Sequence, residues 1–371
     1  MLFINKILKF FFYVLKFSFE FNVPKKKPIL CYHKYTEIIL FFGIKKNLVE
    51  TIDLGKINLY IFFLTVLNFK FSINSYVHNY IKFVSPRVVI TFIDNDIRFY
   101  SFKFLFPNIV FIAIQNGMRL EREQFWSDLK KEKKNILSVD YYLLFNRYYA
   151  DELKKYIKHT PILIGSLKNN SVEIKKCKKN LRSLLFISQI DPHNINKYYY
   201  WKTERVILPI INEYCIKRNI EFVVFSHSNH KNEKNFYHSI LNKNFKYIER
   251  YELDRSFKKN YKIIDNFNNI LFIDTTMGYE FITRKKKIIV FSGRDSQFGI
   301  KSYFGWPKKL NYEGNFYTCK TDKKKIFNLL DKNLKISYKL WRKKNFKILK
   351  DLFVYKKDNN QFVNLVTSIL D

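Results

Sequence analysis

Short apolar runs recur along this chain, each closed by a polar turn and followed by a stretch with helical spacing. Uninterrupted runs of this length suit parallel strands buried on both faces. The pattern predicts strands over Ile29 to Tyr32, Arg87 to Ile93, Ile109 to Ile114, Val139 to Phe145 and Ile162 to Ile164. Helices are expected at Ile57 to Phe71, Tyr76 to Val84 and Phe99 to Leu105, with Glu50 to Lys56 a polar connection. A second set follows, with strands at Leu184 to Ile187, Phe222 to Phe225, Ile270 to Ile273 and Ile288 to Phe291. Its helices are Glu204 to Lys217 and Glu233 to Leu241. Between the sets, Gly165 to Lys179 is polar and basic and reads as a linker. Beyond Thr321 the chain turns helical and basic. Its last helix, Phe362 to Leu370, carries an apolar face (Phe362, Val363, Leu365, Val366, Ile369, Leu370) that needs burial. The expected fold is therefore α/β: Rossmann-like units over 1–165 and 180–330 facing a central cleft, with helices of 331–371 crossing back to the first.

Composition narrows the partners. The 371 residues are 47% hydrophobic, enough for two cores, and carry a formal net charge of +35 from 67 Lys+Arg against 32 Asp+Glu. AT-rich codons account for part of that basicity, since Lys, Asn, Ile, Phe and Tyr are all abundant. The rest implies a surface that attracts anionic lipid or nucleotide substrates. Nucleic acid is not an expected partner, because the aromatics sit in apolar runs and no nucleic-acid motif occurs. The four cysteines, Cys31, Cys177, Cys215 and Cys319, are scattered and form no C-x-x-C pair, as in a reducing compartment. Met1 to Phe21 is apolar but interrupted by Lys6, Lys9, Lys16 and Glu20, too broken to span a bilayer. It suits a basic helix in the inner membrane interface, or a first helix packed on the core.

The richest candidate chemistry lies in Asn269 to Arg294: strand, turn, short helix, strand. Thr275, Thr276 and the N–H groups up to Gly278 would cap the helix and face a phosphate, and Gly278 would allow close approach. Glu280 would accept hydrogen bonds from a ribose or sugar diol. Arg294, after the last strand, offers a fork that matches phosphate oxygens, and His227 is a further phosphate donor. On the first unit, Asp94 and Asp96 follow a strand, where a general base for an acceptor hydroxyl is useful. Gln115, Asn116 and Gly117 close the next strand and suit the acceptor side, with Met118 onward entering a helix. No cluster has metal-ligand spacing, and no cofactor is expected.

The segments SPRVVITFIDND, FIAIQNGMR, VDYYLLFN, ILIGSLKNN, LLFISQ and IDTTMGYEFITRKKKIIVFSGR, in this order, resemble bacterial surface-carbohydrate (lipopolysaccharide or capsule) biosynthesis proteins. The resemblance implies a GT-B glycosyltransferase: a nucleotide-sugar donor held by the second domain, and a glycan or lipid-linked glycan acceptor presented by the first. Two glutamates eight positions apart are common at the donor site of retaining GT-B enzymes. Here Glu280 would be the second, but position 272 is Phe272. Two other functions compete: a nucleotide-sugar 2-epimerase of the same fold, and a non-catalytic basic protein binding membrane or nucleic acid. The expected setting is cytoplasmic, peripheral to the membrane.

Overall fold

The computed structural model describes residues 17–69, 71–119, 124–132, 137–174, 182–190, 199–241, 243–251, 256–291 and 313–371. Its strands, in chain order, are β1 (Ser18–Glu20), β2 (Ile29–Tyr32), β3 (Val49–Ile52), β4 (Lys56–Asn58), β5 (Val88–Thr91), β6 (Val110–Ile114), β7 (Ser138–Leu144) and β8 (Lys158–Leu163). They continue as β9 (Ser183–Ile187), β10 (Glu221–Phe225), β11 (Lys246–Ile248), β12 (Asn269–Phe272), β13 (Lys287–Phe291) and β14 (Tyr317–Thr318). Two six-stranded sheets result, ordered β3-β2-β5-β6-β7-β8 and β11-β10-β9-β12-β13-β14. Every pairing in both is parallel.

The apolar runs explain why both sheets are covered on both faces. Along β9, Leu185 and Ile187 join the large core that runs into the first domain, while Leu184 and Phe186 join a second cluster. The alternation repeats in β10, β12 and β13, so each strand is buried twice over.

Sequence and structure part company mainly at short edge elements. Glu50 to Lys56 is not merely a polar connection, because Val49–Ile52 is the half-buried edge strand β3. The end of the expected N-terminal helix is strand β1, parallel to β4, and residues 1–16 lie outside the described ones. Strand β11 and the helix Phe257–Ile264 have no counterpart in the expectation.

The segment after Gly165 is no solvated linker over its described part. Leu167, Asn169, Asn170 and Val172 are buried. Arg284, from the second domain, sends its guanidinium into this segment. It pairs with Asp265 through Nε at 2.9 Å and through Nη2, and donates to Asn169 Oδ1 (3.2 Å), Val172 O (2.9 Å) and Glu173 O (2.9 Å). Asn169 Nδ2 answers with a bond to Thr283 Oγ1 at 2.9 Å.

The C-terminal region does return to the first domain. Val354 N–H donates to Phe145 O (3.0 Å), Asn146 Nδ2 to Leu352 O (2.8 Å), and Asn359 Nδ2 to Leu167 O (2.9 Å). Gly165, at φ +76°, lets the returning chain through: a Cβ there would stand 1.9 Å from Val354 O. The last helix, Asn360–Leu370, buries Phe362 and Val366 in the first core.

Arg284→Met would strand the Asp265 carboxylate in a buried site. Loss of one partner from such a pair costs about 3–5 kcal/mol. Urea denaturation should show a drop of that order, partly restored when Asp265→Asn is added; a drop below about 1 kcal/mol would contradict the clasp.

Candidate active site

The C-terminal ends of both sheets face each other across one cavity. Phe92 follows β5, Gln115 and Asn116 close β6, and Phe145 follows β7. Opposite them stand Gln189 after β9, His227 after β10, Arg250 after β11, and Thr275, Thr276, Met277 and Glu280 after β12. In the second sheet β9 and β12 are adjacent strands whose crossovers leave in opposite directions, a topological switch point where open α/β sheets hold ligands.

The β12 turn does not work as a threonine cap. Thr275 sits at the N-cap position, but its side chain makes no capping bond. Thr276 Oγ1 instead accepts the Met118 N–H of the other domain at 2.9 Å. Gly278 has a packing reason rather than a ligand reason, since a Cβ would lie 2.3 Å from the Phe272 ring. Glu280 is buried, bonded by Tyr261 Oη, and not on a solvated face. Burial raises its carboxyl above the ordinary range, against the hydrogen bonds of Ser166 and Tyr261 and the charges of Lys168 and Arg284.

On the first wall the two aspartates differ from a free base. Asp94 is 1% exposed and lies beneath the cavity, where Arg119 Nη2 pairs with it. Tyr142 Oη donates to it at 3.0 Å and Asn116 N–H at 3.3 Å. Its carboxylate is thereby occupied by the chain itself, and it fixes the Asn116–Arg119 turn. Asp96 is forked by Arg98 (2.8 and 2.6 Å) and receives Tyr32 Oη at 2.9 Å, away from the cavity lining. Neither is among the residues that line the cavity. Gln115 spends its amide on Gly117 O (3.0 Å) and on the Phe145 N–H (2.9 Å), so it shapes the loop. Residues 115–119 are not helical, and Arg119 is buried on Asp94. Arg294 lies outside the described residues.

His227 does line the cavity. Glu233 holds its loop, accepting the N–H of His227 at 2.7 Å and of Ser228 at 2.8 Å. Behind it Glu204 is fully buried, and burial together with the nearby Glu233 pushes its carboxyl well above the ordinary range. Burial raises the Glu233 carboxyl as well, against the hydrogen bonds of Ser188, His227 and Ser228.

Arg250 went unseen in the sequence because its strand, β11, is only three residues long. Its backbone N–H is tied to Ser226 Oγ at 2.8 Å, but its buried Nε has no hydrogen-bond partner among the described residues. Burial lowers its pKa, while Tyr261, Tyr35, Glu280 and Glu233 favour its charge. A half-buried guanidinium on a shared cavity has the donor geometry to receive an anion.

A family described as "putative O-antigen biosynthesis protein" matches residues 112–369. The chain belongs to this family. No curated protein matches it. Among solved structures, the S. aureus MnaA–UDP complex is similar at 11% identity and a TM-score of 0.54, over 93% of this chain and 97% of that one. The wall teichoic acid polymerase TagF is similar at 12% identity and a TM-score of 0.50, over 93% and 90%. At such identities the likeness speaks for the fold: two Rossmann-like domains of the GT-B kind.

Proposed function

We propose that this O-antigen family member is a glycosyltransferase that moves a sugar from a nucleotide-sugar donor to a growing surface glycan, free or lipid-linked. The reading rests on Arg250, a half-buried side chain whose buried Nε has no hydrogen-bond partner among the described residues, beside Thr275, Thr276, Glu280 and His227. Transfer leaves a nucleoside diphosphate whose charge grows as the sugar departs, and a preorganised cation in a dry cleft stabilises that charge. In this reading His227, which lines the cavity, donates to the same phosphates, and Glu280 bonds a ribose or sugar hydroxyl. That a similar structure holds UDP supports a nucleotide here. Asn116 and Gln115 form the acceptor wall, with Asp94 as a positioning group under them.

The epimerase alternative is less well supported. It needs acidic groups around the sugar from both domains, and Glu280 is the one carboxylate among the described lining residues. Calorimetry with UDP, CDP and GDP tests the donor site. Arg250→Met should weaken the best-bound nucleotide about tenfold to a hundredfold, the range of a charge-assisted hydrogen bond. An unchanged affinity would remove Arg250 from the site.

The expected membrane partner gains support from another face. Among the described residues no helix is long and apolar enough to cross a membrane. However, the helix Leu59–Leu67 leaves Tyr60, Phe63 and Leu67 exposed on one side, 38%, 60% and 72%, with Phe69 beyond them. Such a face on a strongly basic chain suits an anionic interface. Phe63→Ser with Leu67→Ser should cut co-sedimentation with phosphatidylglycerol vesicles severalfold, with little binding to phosphatidylcholine in either protein. Equal binding by both proteins would exclude this face.

A further inference from the structure

The cleft contains a second cation that the donor reading does not use. Lys168 lies on the buried segment between the sheets and lines the same cavity as Arg250. Its Nζ donates to Tyr35 Oη at 2.6 Å and stands 5.2 Å from the Tyr35 ring centre and 5.5 Å from that of Phe92. Aromatic faces hold the ammonium by charge–quadrupole attraction without neutralising it. Tyr35 Oη accepts from Lys168, so its own proton is available for another acceptor.

This corner is built rigidly. His33, at the end of β2, adopts φ 81° and ψ 137°, a region that favours glycine, and its Nδ1 accepts the Tyr35 N–H at 3.2 Å. Strain of this kind concentrates at functional turns. Thr36 Oγ1 then bonds Tyr32 O at 2.7 Å and accepts the Phe92 N–H at 3.1 Å, locking the Tyr35 turn to the next strand end. The Tyr35 and Phe92 rings meet edge to face at 5.8 Å.

The charges do not balance for a neutral acceptor. Among the described lining residues, Lys168 and Arg250 meet one carboxylate, Glu280, whose ionisation burial opposes. The ammonium and the phenol hydroxyl can both donate to one phosphate, and the ammonium adds its charge. We infer that Lys168 and the Tyr35 hydroxyl form a second anion site, which takes a phosphate group carried by the acceptor while Arg250 takes the donor diphosphate. The inference rests on the donor reading above for the second half of that division, and on the Lys168 corner alone for the first.

Inorganic phosphate is the probe. It is titrated calorimetrically into nucleotide-free protein and into protein saturated with whichever of UDP, CDP or GDP binds best. The account expects phosphate to bind in both states. Lys168→Met should weaken it at least tenfold, Tyr35→Phe severalfold, and Lys168→Arg little, with nucleotide affinity changed less than twofold by Lys168→Met. Phosphate that binds only nucleotide-free protein would assign Lys168 to the donor diphosphate and overturn the second site. Phosphate binding unchanged by both Lys168→Met and Tyr35→Phe would overturn it too. A failure of the donor reading looks different: no nucleotide binds, while Lys168-dependent phosphate binding persists and supports the site.

Discussion

One buried ion pair at the joint between the sheets sets the geometry of everything else. Arg284 is bonded to Asp265 within its own domain and to two carbonyls and an amide of the connecting segment. A guanidinium has five donors in a fixed plane, so a set of bonds like this fixes orientation as well as distance. The connecting segment cannot swing freely while it serves as the acceptor for a buried charge. It is held from the other side as well, where Lys356 N–H donates to Asn170 Oδ1 at 3.1 Å and the returning chain passes over Gly165.

That constraint brings the strand ends together. Met118 meets Thr276 across the cleft, and Phe42 meets Phe257 with ring centres 6.3 Å apart. The first wall is stiffened from below: Asp94 gathers Arg119, Tyr142 and the Asn116 N–H into one buried knot. The second wall is stiffened by Glu233 under His227 and by Tyr261 and Ser166 against Glu280. Preorganised polar groups of this sort can stabilise developing charge without first rearranging. The price of so many buried carboxyls appears in Glu204 and Glu280, whose charged forms burial opposes.

The sequence made much of this visible, and the misses have physical causes. Double burial leaves uninterrupted apolar runs, so β2, β5, β6, β7, β9, β12 and β13 stand out from neighbours alone. Edge strands such as β3 and β11 are short and half polar, and with β11 hidden, Arg250 could not be placed at a strand end. The polar turns at strand ends were legible as site material, but the jobs of individual side chains were not. Asp94 has the look of a base until Arg119, 25 positions later, is seen to occupy it. Gly278 invites a ligand until Phe272 is seen to need the space. Lys168 reads as one more linker lysine, because its meaning depends on Tyr35 and Phe92, far away in the chain.

The central claim is that both walls belong to one site. Hydrogen exchange with and without the best-bound nucleotide tests it peptide by peptide, since amides that gain a ligand or a closed cleft exchange more slowly. The account predicts added protection over Thr275–Glu280 and, in the same experiment, over Asn116–Met118 on the opposite domain. Protection confined to the second domain, with the Asn116–Met118 amides unchanged, would contradict a shared site.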